Sequence, residues 1–225
     1  MTSAPVHTEK NSKTNILFIL FGLLLALLGG LLLLTLSGYG FVETNTLLGI
    51  TAKTPWYFTR AAGTVAYLLM AGSTIWGLLL STKLIKESVP AALALTMHNM
   101  LSWLAIVLAG LHAVALLFDN YYTYTLADLT IPFLGPYRPV WVGLGVIGLY
   151  IMLLTSISFS FRKQIGQKRW RQLHYLTFIA FVLVTVHSVF AGTDNGNGGL
   201  RFVYWGSGLL VLFLTNYRLL TARVK

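Results

Sequence analysis

Residues 91–118 read AALALTMHNMLSWLAIVLAGLHAVALLF, a run of 28 residues without a charged side chain. About 20 apolar residues are enough for a helix to cross the hydrocarbon core of a bilayer, so this stretch predicts a membrane-spanning helix. It carries two histidines, His98 and His112, 14 positions apart. An ionisable side chain at membrane depth is a candidate functional residue. The segment therefore predicts both the class of the fold and the place of its site.

Five further apolar segments have the length of a membrane span. They occupy residues 16–36, 61–80, 140–159, 172–191 and 202–220. The chain is 56% hydrophobic and only 10% charged, which excludes an ordinary soluble domain. The pattern predicts an all-α integral membrane bundle of six helices, with residues 1–14 as a tail and 15–225 as one transmembrane domain.

The 16 basic residues predict the orientation of this bundle. When loops are assigned alternately to the two sides, one side receives twelve Lys and Arg residues and the other four. By the positive-inside rule the tail, both termini and the segments 81–90 and 161–171 are cytoplasmic. The basic residues lie between apolar runs, so the net charge of +10 does not indicate a nucleic-acid partner.

A second pair of histidines, His174 and His187, lies in the fifth span, 13 positions apart. The third and fifth spans both begin on the cytoplasmic side, so His98 and His174 share an inner level and His112 and His187 an outer one. A rise of about 1.5 Å per residue separates the levels by roughly 20 Å. Imidazole is a common axial ligand of haem iron, and the absence of cysteine excludes covalent attachment. The pattern predicts two b-type haems stacked between the third and fifth spans.

The two spacings differ in helical phase. Fourteen residues turn an α-helix through whole turns to within about 40°, whereas 13 residues miss by about 140°. The fifth span is therefore predicted to contain a π-bulge or a comparable irregularity between His174 and His187.

Haem propionates are anionic and need cations near both interfaces. Arg60 and Arg138 are candidates at the outer level, and Arg171 and Arg169 at the inner level. Membrane topology explains Arg169 and Arg171 about equally well, and an interfacial anchor does the same for Arg138.

Smaller features are interpreted as structural. Gly143, Gly145 and Gly148 spell G-x-G-x-x-G, but no strand precedes them, so we interpret them as a helix-packing face. The second N–H of each imidazole needs a carbonyl or hydroxyl partner, for which the candidate hydroxyls are Ser102, Thr177 and Ser188. The sequence assigns no catalytic residue.

Three alternatives to haem ligation remain open, one of which is a haem-free scaffold that only assembles a partner. Each histidine by itself is explained by a hydrogen bond to a neighbouring helix. A haem-free transporter that relays protons also uses intramembrane histidines, although such relays are usually associated with carboxylates and no Asp or Glu lies in the six segments.

Several short motifs resemble one known family. They are R-A-A-G at 60–63, W-R-Q-L-H-Y-L-T-F at 170–178, V-H at 186–187 and A-G-T-D at 191–194. Together with the histidine spacings of 14 and 13, they make residues 56–220 similar to the ferric reductase-like transmembrane family. This family includes the membrane domains of NADPH oxidases and ferric reductases and the haem subunit of a bacterial methionine sulfoxide reductase system.

The resemblance implies a function in electron transfer. His98, His112, His174 and His187 match the family's haem ligands, and electrons would pass from a cytoplasmic donor through an inner and an outer haem to an external acceptor. The flavin and nicotinamide domain that often follows such a bundle has no counterpart before Lys225. The expected donor is therefore a separate flavoprotein reductase or a membrane quinol, and the acceptor is oxygen, a ferric chelate or another oxidoreductase.

Overall fold

The computed structural model describes residues 51–82, 84–85, 89–194 and 196–223. Every regular element in these ranges is helical. The helices are α1 (Thr54–Thr82), α2 (Ala91–Ala115, followed by a 3₁₀ turn at Leu116–Phe118), α3 (Leu126–Thr130), α4 (Pro139–Ser158), α5 (Arg162–Ile165), α6 (Gln167–His174), α7 (Leu176–Ala191) and α8 (Gly198–Arg223). The predicted tail at 1–14 and the predicted span at 16–36 lie outside the described residues.

Five helical segments among the described residues are long and apolar enough to cross a bilayer. They are α1, α2 with its 3₁₀ turn, α4, α6 together with α7, and the Gly198–Thr221 part of α8. These segments correspond to five of the six predicted spans and confirm an all-helical integral membrane architecture. The first of them begins at Thr54, earlier than the predicted residue 61, so Arg60 lies inside a helix.

The starts of two helices follow from local chemistry. Pro139 occupies the first turn of α4, where a fixed φ favours the helix and a missing N–H costs nothing. Arg138 precedes it with φ of 42°, in the left-handed region. At α3 a capping box pairs Thr125 with Asp128 in both directions.

Helix α1 lies at the centre of the described bundle. It packs against α2, α7 and α8, while α4 packs mainly against α7. Tyr67 of α1 is 2% exposed, and its hydroxyl lies 2.7 Å from Ser207 Oγ of α8 and 3.3 Å from Thr185 Oγ1 of α7. A hydroxyl in an apolar interior needs such partners, so this contact fixes three helices around one point.

Candidate haem sites

The four histidines meet as two pairs. The ring centroids of His98 and His174 are 6.1 Å apart with an interplanar angle of 78°. Those of His112 and His187 are 6.2 Å apart at 81°. The structure thus brings together the residues that the sequence placed at shared levels. We refer to them as the 98/174 pair and the 112/187 pair.

Helix geometry makes both pairings possible. The chain leaves the regular α-helix at Tyr175, between α6 and α7, where Tyr175 N–H donates to the carbonyls of Arg171 and Gln172 and Phe178 N–H donates to Tyr175 O. The bonds from Tyr175 to Gln172 and from Phe178 to Tyr175 span three residues, as in a 3₁₀ turn. A 3₁₀ turn rotates the chain by about 20° per residue more than an α-helix does. Because 13 residues of regular α-helix fall about 140° short of four whole turns, the added rotation brings His187 closer to the side of the helix that carries His174. The predicted irregularity is present, but it is a tight turn and not a π-bulge.

Three of the four rings are oriented by a backbone carbonyl. The Nδ1 atoms of His98, His112 and His187 lie 3.0 Å from Ser73 O, 2.7 Å from Thr59 O and 2.9 Å from Trp141 O, respectively. A carbonyl only accepts hydrogen bonds, so Nδ1 carries the proton in each ring. The Nε2 lone pair of each neutral ring is then available to a metal.

His174 is held differently. Its Nδ1 is buried and has no hydrogen-bond partner among the described residues. The ring instead stacks on Trp170, with centroids 5.2 Å apart and an interplanar angle of 23°. Aromatic stacking therefore takes the place of the carbonyl contact that orients the other three histidines.

The hydroxyls that the sequence suggested as ring partners have other roles. Ser102 and Thr177 donate to the carbonyls of His98 and His174, one turn back in the chain. Ser73, which sequence reasoning missed, lies closer to a ring, with its Oγ 3.2 Å from His98 Nδ1. Ser188 lines the cavity beside the 112/187 pair.

Each pair borders a cavity. One of about 760 Å³ contains His112 and His187 in its wall, and one of about 490 Å³ contains His98 and His174. Both volumes fall in the range of ligand pockets. Met70 and Met152 border both cavities, so these two side chains lie between the two levels.

The predicted cationic residues divide into two groups. Arg60 borders the cavity of the 112/187 pair and Arg171 that of the 98/174 pair. Arg138 and Arg169 are exposed and belong to neither wall; Arg138 Nη1 instead donates to Phe190 O at 2.5 Å. Arg218, which is not one of the four predicted cations, joins Arg171 at the 98/174 cavity.

Arg60 already has an acidic partner within the chain. Its Nε donates to Asp194 Oδ2 at 2.7 Å, and a second guanidinium nitrogen pairs with the other carboxylate oxygen. The guanidinium also lies 4.1 Å from the ring centroid of Trp56. The ion pair joins the start of α1 to the segment before α8, at the mouth of the cavity.

The segment between α2 and α4 covers the same mouth with tyrosines. Tyr121, Tyr122, Tyr124 and Tyr137 all border the cavity. Burial, followed by the charge of Asp119, raises the pKa of Tyr124 to about 12. Tyr124 therefore remains a neutral hydrogen-bonding group at physiological pH.

The stability of helix α3, which lies within this segment, is expected to depend on pH. Hydrogen bonds from the hydroxyl and N–H of Thr125 lower the pKa of the Asp128 carboxyl below its usual value. Because the pKa is lower in the folded state, the contribution of Asp128 is present near neutral pH and is lost as the pH falls below about 4. Hydrogen-exchange protection of residues 126–130 should decrease over that range. In an Asp128→Ala variant the protection of these residues should be weaker at neutral pH and should not decrease further as the pH falls below about 4.

Two of the three glycines in the α4 motif face helix α7, as predicted for a helix-packing face. A Cβ on Gly148 would lie 2.5 Å from Val184 Cγ2, whereas one on Gly143 would meet the ring of Phe133 in the segment between α3 and α4. Gly145 faces the ring of His187.

A family model matches more than half of the chain. The model of the family described as "Ferric reductase like transmembrane component" matches residues 62–185, which is 124 of the 225 residues. The chain belongs to this family. Three of the four histidines lie inside the range matched to the ferric reductase-like family, and His187 follows two residues after it.

One relative is the Magnetosome protein MamZ of Magnetospirillum gryphiswaldense, which is 33% identical over 82 residues. That stretch covers 36% of this chain and 12% of MamZ, so the similarity concerns a small part of the larger protein. No solved structure matches this ferric reductase-like chain.

Proposed function

We propose that this ferric reductase-like chain carries electrons across a membrane through two b-type haems, one held by each histidine pair. The observation that carries the proposal is the meeting of two imidazole pairs at two levels of one bundle. Membership in the ferric reductase-like family supports transmembrane electron transfer, and the family commonly binds haem.

The geometry of each pair fits an iron between the rings. Two metal–imidazole bonds of about 2.0 Å each place the ring centroids roughly 6 Å apart, and the observed separations are 6.1 and 6.2 Å. Among the described residues no three His, Cys, Asp or Glu side chains gather as a metal site. A pair is sufficient for haem iron, because the porphyrin supplies the other four ligands.

When bound, each haem would supply one-electron chemistry. The chain fixes the imidazoles, and the carbonyls of Thr59, Ser73 and Trp141 keep three Nε2 atoms unprotonated. Rings whose N–H groups are committed to backbone carbonyls suit fixed ligands better than a proton relay. Met70 and Met152, which border both cavities, place apolar side chains between the two levels.

The partners belong to the same proposal. Arg171 and Arg218 give the 98/174 end a basic character, which suits an acidic flavoprotein donor, or a membrane quinol that reacts there. The opposite mouth, under the tyrosine-rich segment, faces the acceptor, which is oxygen, a ferric chelate or another oxidoreductase. The proposed setting is the bacterial inner membrane, with cytoplasmic termini.

Proteoliposomes test the proposed electron transfer directly. The purified protein is reconstituted around trapped ferricyanide, and dithionite is added outside. Ferricyanide should be reduced faster than in protein-free liposomes, and a His98→Ala/His112→Ala variant should return the rate to that background. Equal rates for the haem-loaded wild-type protein and the variant would overturn the proposal.

A further inference from the structure

Three histidine rings rest against glycines of neighbouring helices. A Cβ on Gly63 would lie 2.7 Å from His112 Nδ1, and one on Gly145 would lie 2.7 Å from His187 Nδ1. A Cβ on Gly77 would lie 3.0 Å from His98 Cε1. In real proteins a Cβ atom essentially never approaches a heavy atom of another residue closer than 3.0 Å. The rings of His112 and His187 therefore occupy space that only glycine leaves open.

The same local pattern occurs at all three glycines. Each lies four residues after the carbonyl that receives the ring N–H, in the pairs Thr59 and Gly63, Ser73 and Gly77, and Trp141 and Gly145. In an α-helix the carbonyl oxygen of residue i already accepts the N–H of residue i+4. The Cβ of residue i+4 tilts back toward the helix N-terminus and shields that oxygen. Glycine removes this shield, so a ring can reach the second lone pair.

The register along α1 matches the register of the histidines. Gly63 and Gly77 are 14 residues apart, as are His98 and His112 on the neighbouring α2. One helix therefore offers two exposed carbonyls at the two levels where α2 presents its rings.

We propose that Gly63, Gly77 and Gly145 are positioning residues for the haem ligands. Each forms what we call a glycine notch, in which the missing Cβ lets the ring N–H bond a helical carbonyl and aims Nε2 at the iron. This inference rests on the proposed haem function. Among the described residues no glycine faces His174, which stacks on Trp170, so the 98/174 pair has one notched ring and the 112/187 pair has two.

Alanine variants of the three glycines test the notch, with two matched controls. Gly72→Ala adds the same methyl group to α1 at a point where nothing lies within 4 Å. Gly148→Ala adds it to α4 against Val184, at a distance as short as at the notches but away from any histidine. Haem per chain and the reduced optical spectrum are measured for each purified protein, together with the thermal stability of the haem-free form.

Gly63→Ala and Gly145→Ala should each weaken binding of the haem at the 112/187 pair by about 10- to 100-fold, the range seen when the outer partners of metal ligands are removed. Haem per chain should fall from two toward one, and the remaining spectrum should match that of a His112→Ala variant. Gly77→Ala should affect only the haem at the 98/174 pair, with a smaller loss because its contact is looser. Both control variants should keep two haems.

The outcomes separate the notch from the haem proposal. A wild-type protein without haem would refute the proposed function itself. A wild-type protein with two haems and notch variants with unchanged spectra would refute only the notch. If Gly63→Ala does not accumulate, Gly145→Ala tests the same haem from another helix. Failure of all three variants to fold, while Gly148→Ala folds, would also overturn the notch, because the glycines would then serve the fold and not the rings.

Discussion

Replacing His112 with alanine is expected to halve the haem content and to stop electron transfer across the membrane. The change removes one imidazole of the 112/187 pair and leaves the 98/174 pair intact, since the two levels are roughly 20 Å apart along α2. Loss of the hydrogen-bonding partner of a metal ligand typically lowers metal affinity by about 10- to 100-fold. Loss of the ligand itself should lower haem affinity at that level by at least as much. The measurement is haem per chain by pyridine haemochrome, combined with the proteoliposome rate.

The reciprocal variant and a neutral one are the controls. His98→Ala should remove the other haem and give a different residual spectrum. Thr96→Ala changes an exposed side chain of α2 whose hydroxyl donates to Ala92 O in the same helix, and it should keep both haems. Loss of both haems from His112→Ala alone would contradict two independent sites.

Replacing Arg60 with glutamine should lower stability and loosen the mouth of the 112/187 cavity. The substitution leaves the Asp194 carboxylate without its ion-pair partner. Because the two side chains are 32% and 25% exposed, the cost should be about 1–2 kcal/mol, less than for a fully buried pair. Thermal unfolding of the purified protein should show this as a fall of a few degrees in Tm.

A double variant distinguishes the ion pair from a propionate contact. If Arg60 acts through Asp194, Arg60→Gln/Asp194→Asn should recover much of the lost stability and leave the haem potentials near wild type. If Arg60 instead serves a propionate, the potential of the haem at the 112/187 pair should fall in both the single and the double variant. The second result would support the propionate contact that the sequence predicted for Arg60.

The sequence predicted well how far along its helix each histidine lies. Span lengths and loop charges follow from the cost of burying polar groups in hydrocarbon, and these features put His98 level with His174 and His112 level with His187. The 13-residue spacing even required a break in regular helix, which the structure has at Tyr175. A hydrophobic pattern contains no information on whether the break overwinds or underwinds the chain, so the sequence predicted an irregularity without determining that it is a tight turn and not a π-bulge.

Contacts between helices were beyond the reach of the sequence alone. Glycines are common in membrane helices, and the motif R-A-A-G at 60–63 includes Gly63 without indicating that a histidine ring lies against it. The Arg60–Asp194 pair joins residues 134 positions apart, and Arg218 reaches the 98/174 cavity only because α8 packs against the bundle. Such contacts depend on helix rotation and neighbour choice, which apolar periodicity leaves undetermined.

The most direct test of the central claim is the haem content and reduced-minus-oxidised spectrum of the wild-type protein purified from haem-replete cells. We expect two non-covalent haems per chain and the sharp low-spin bands of iron held by two imidazoles, with both haems reduced by dithionite. A colourless preparation, or a high-spin spectrum that persists in well-folded protein, would contradict ligation by the 98/174 and 112/187 pairs.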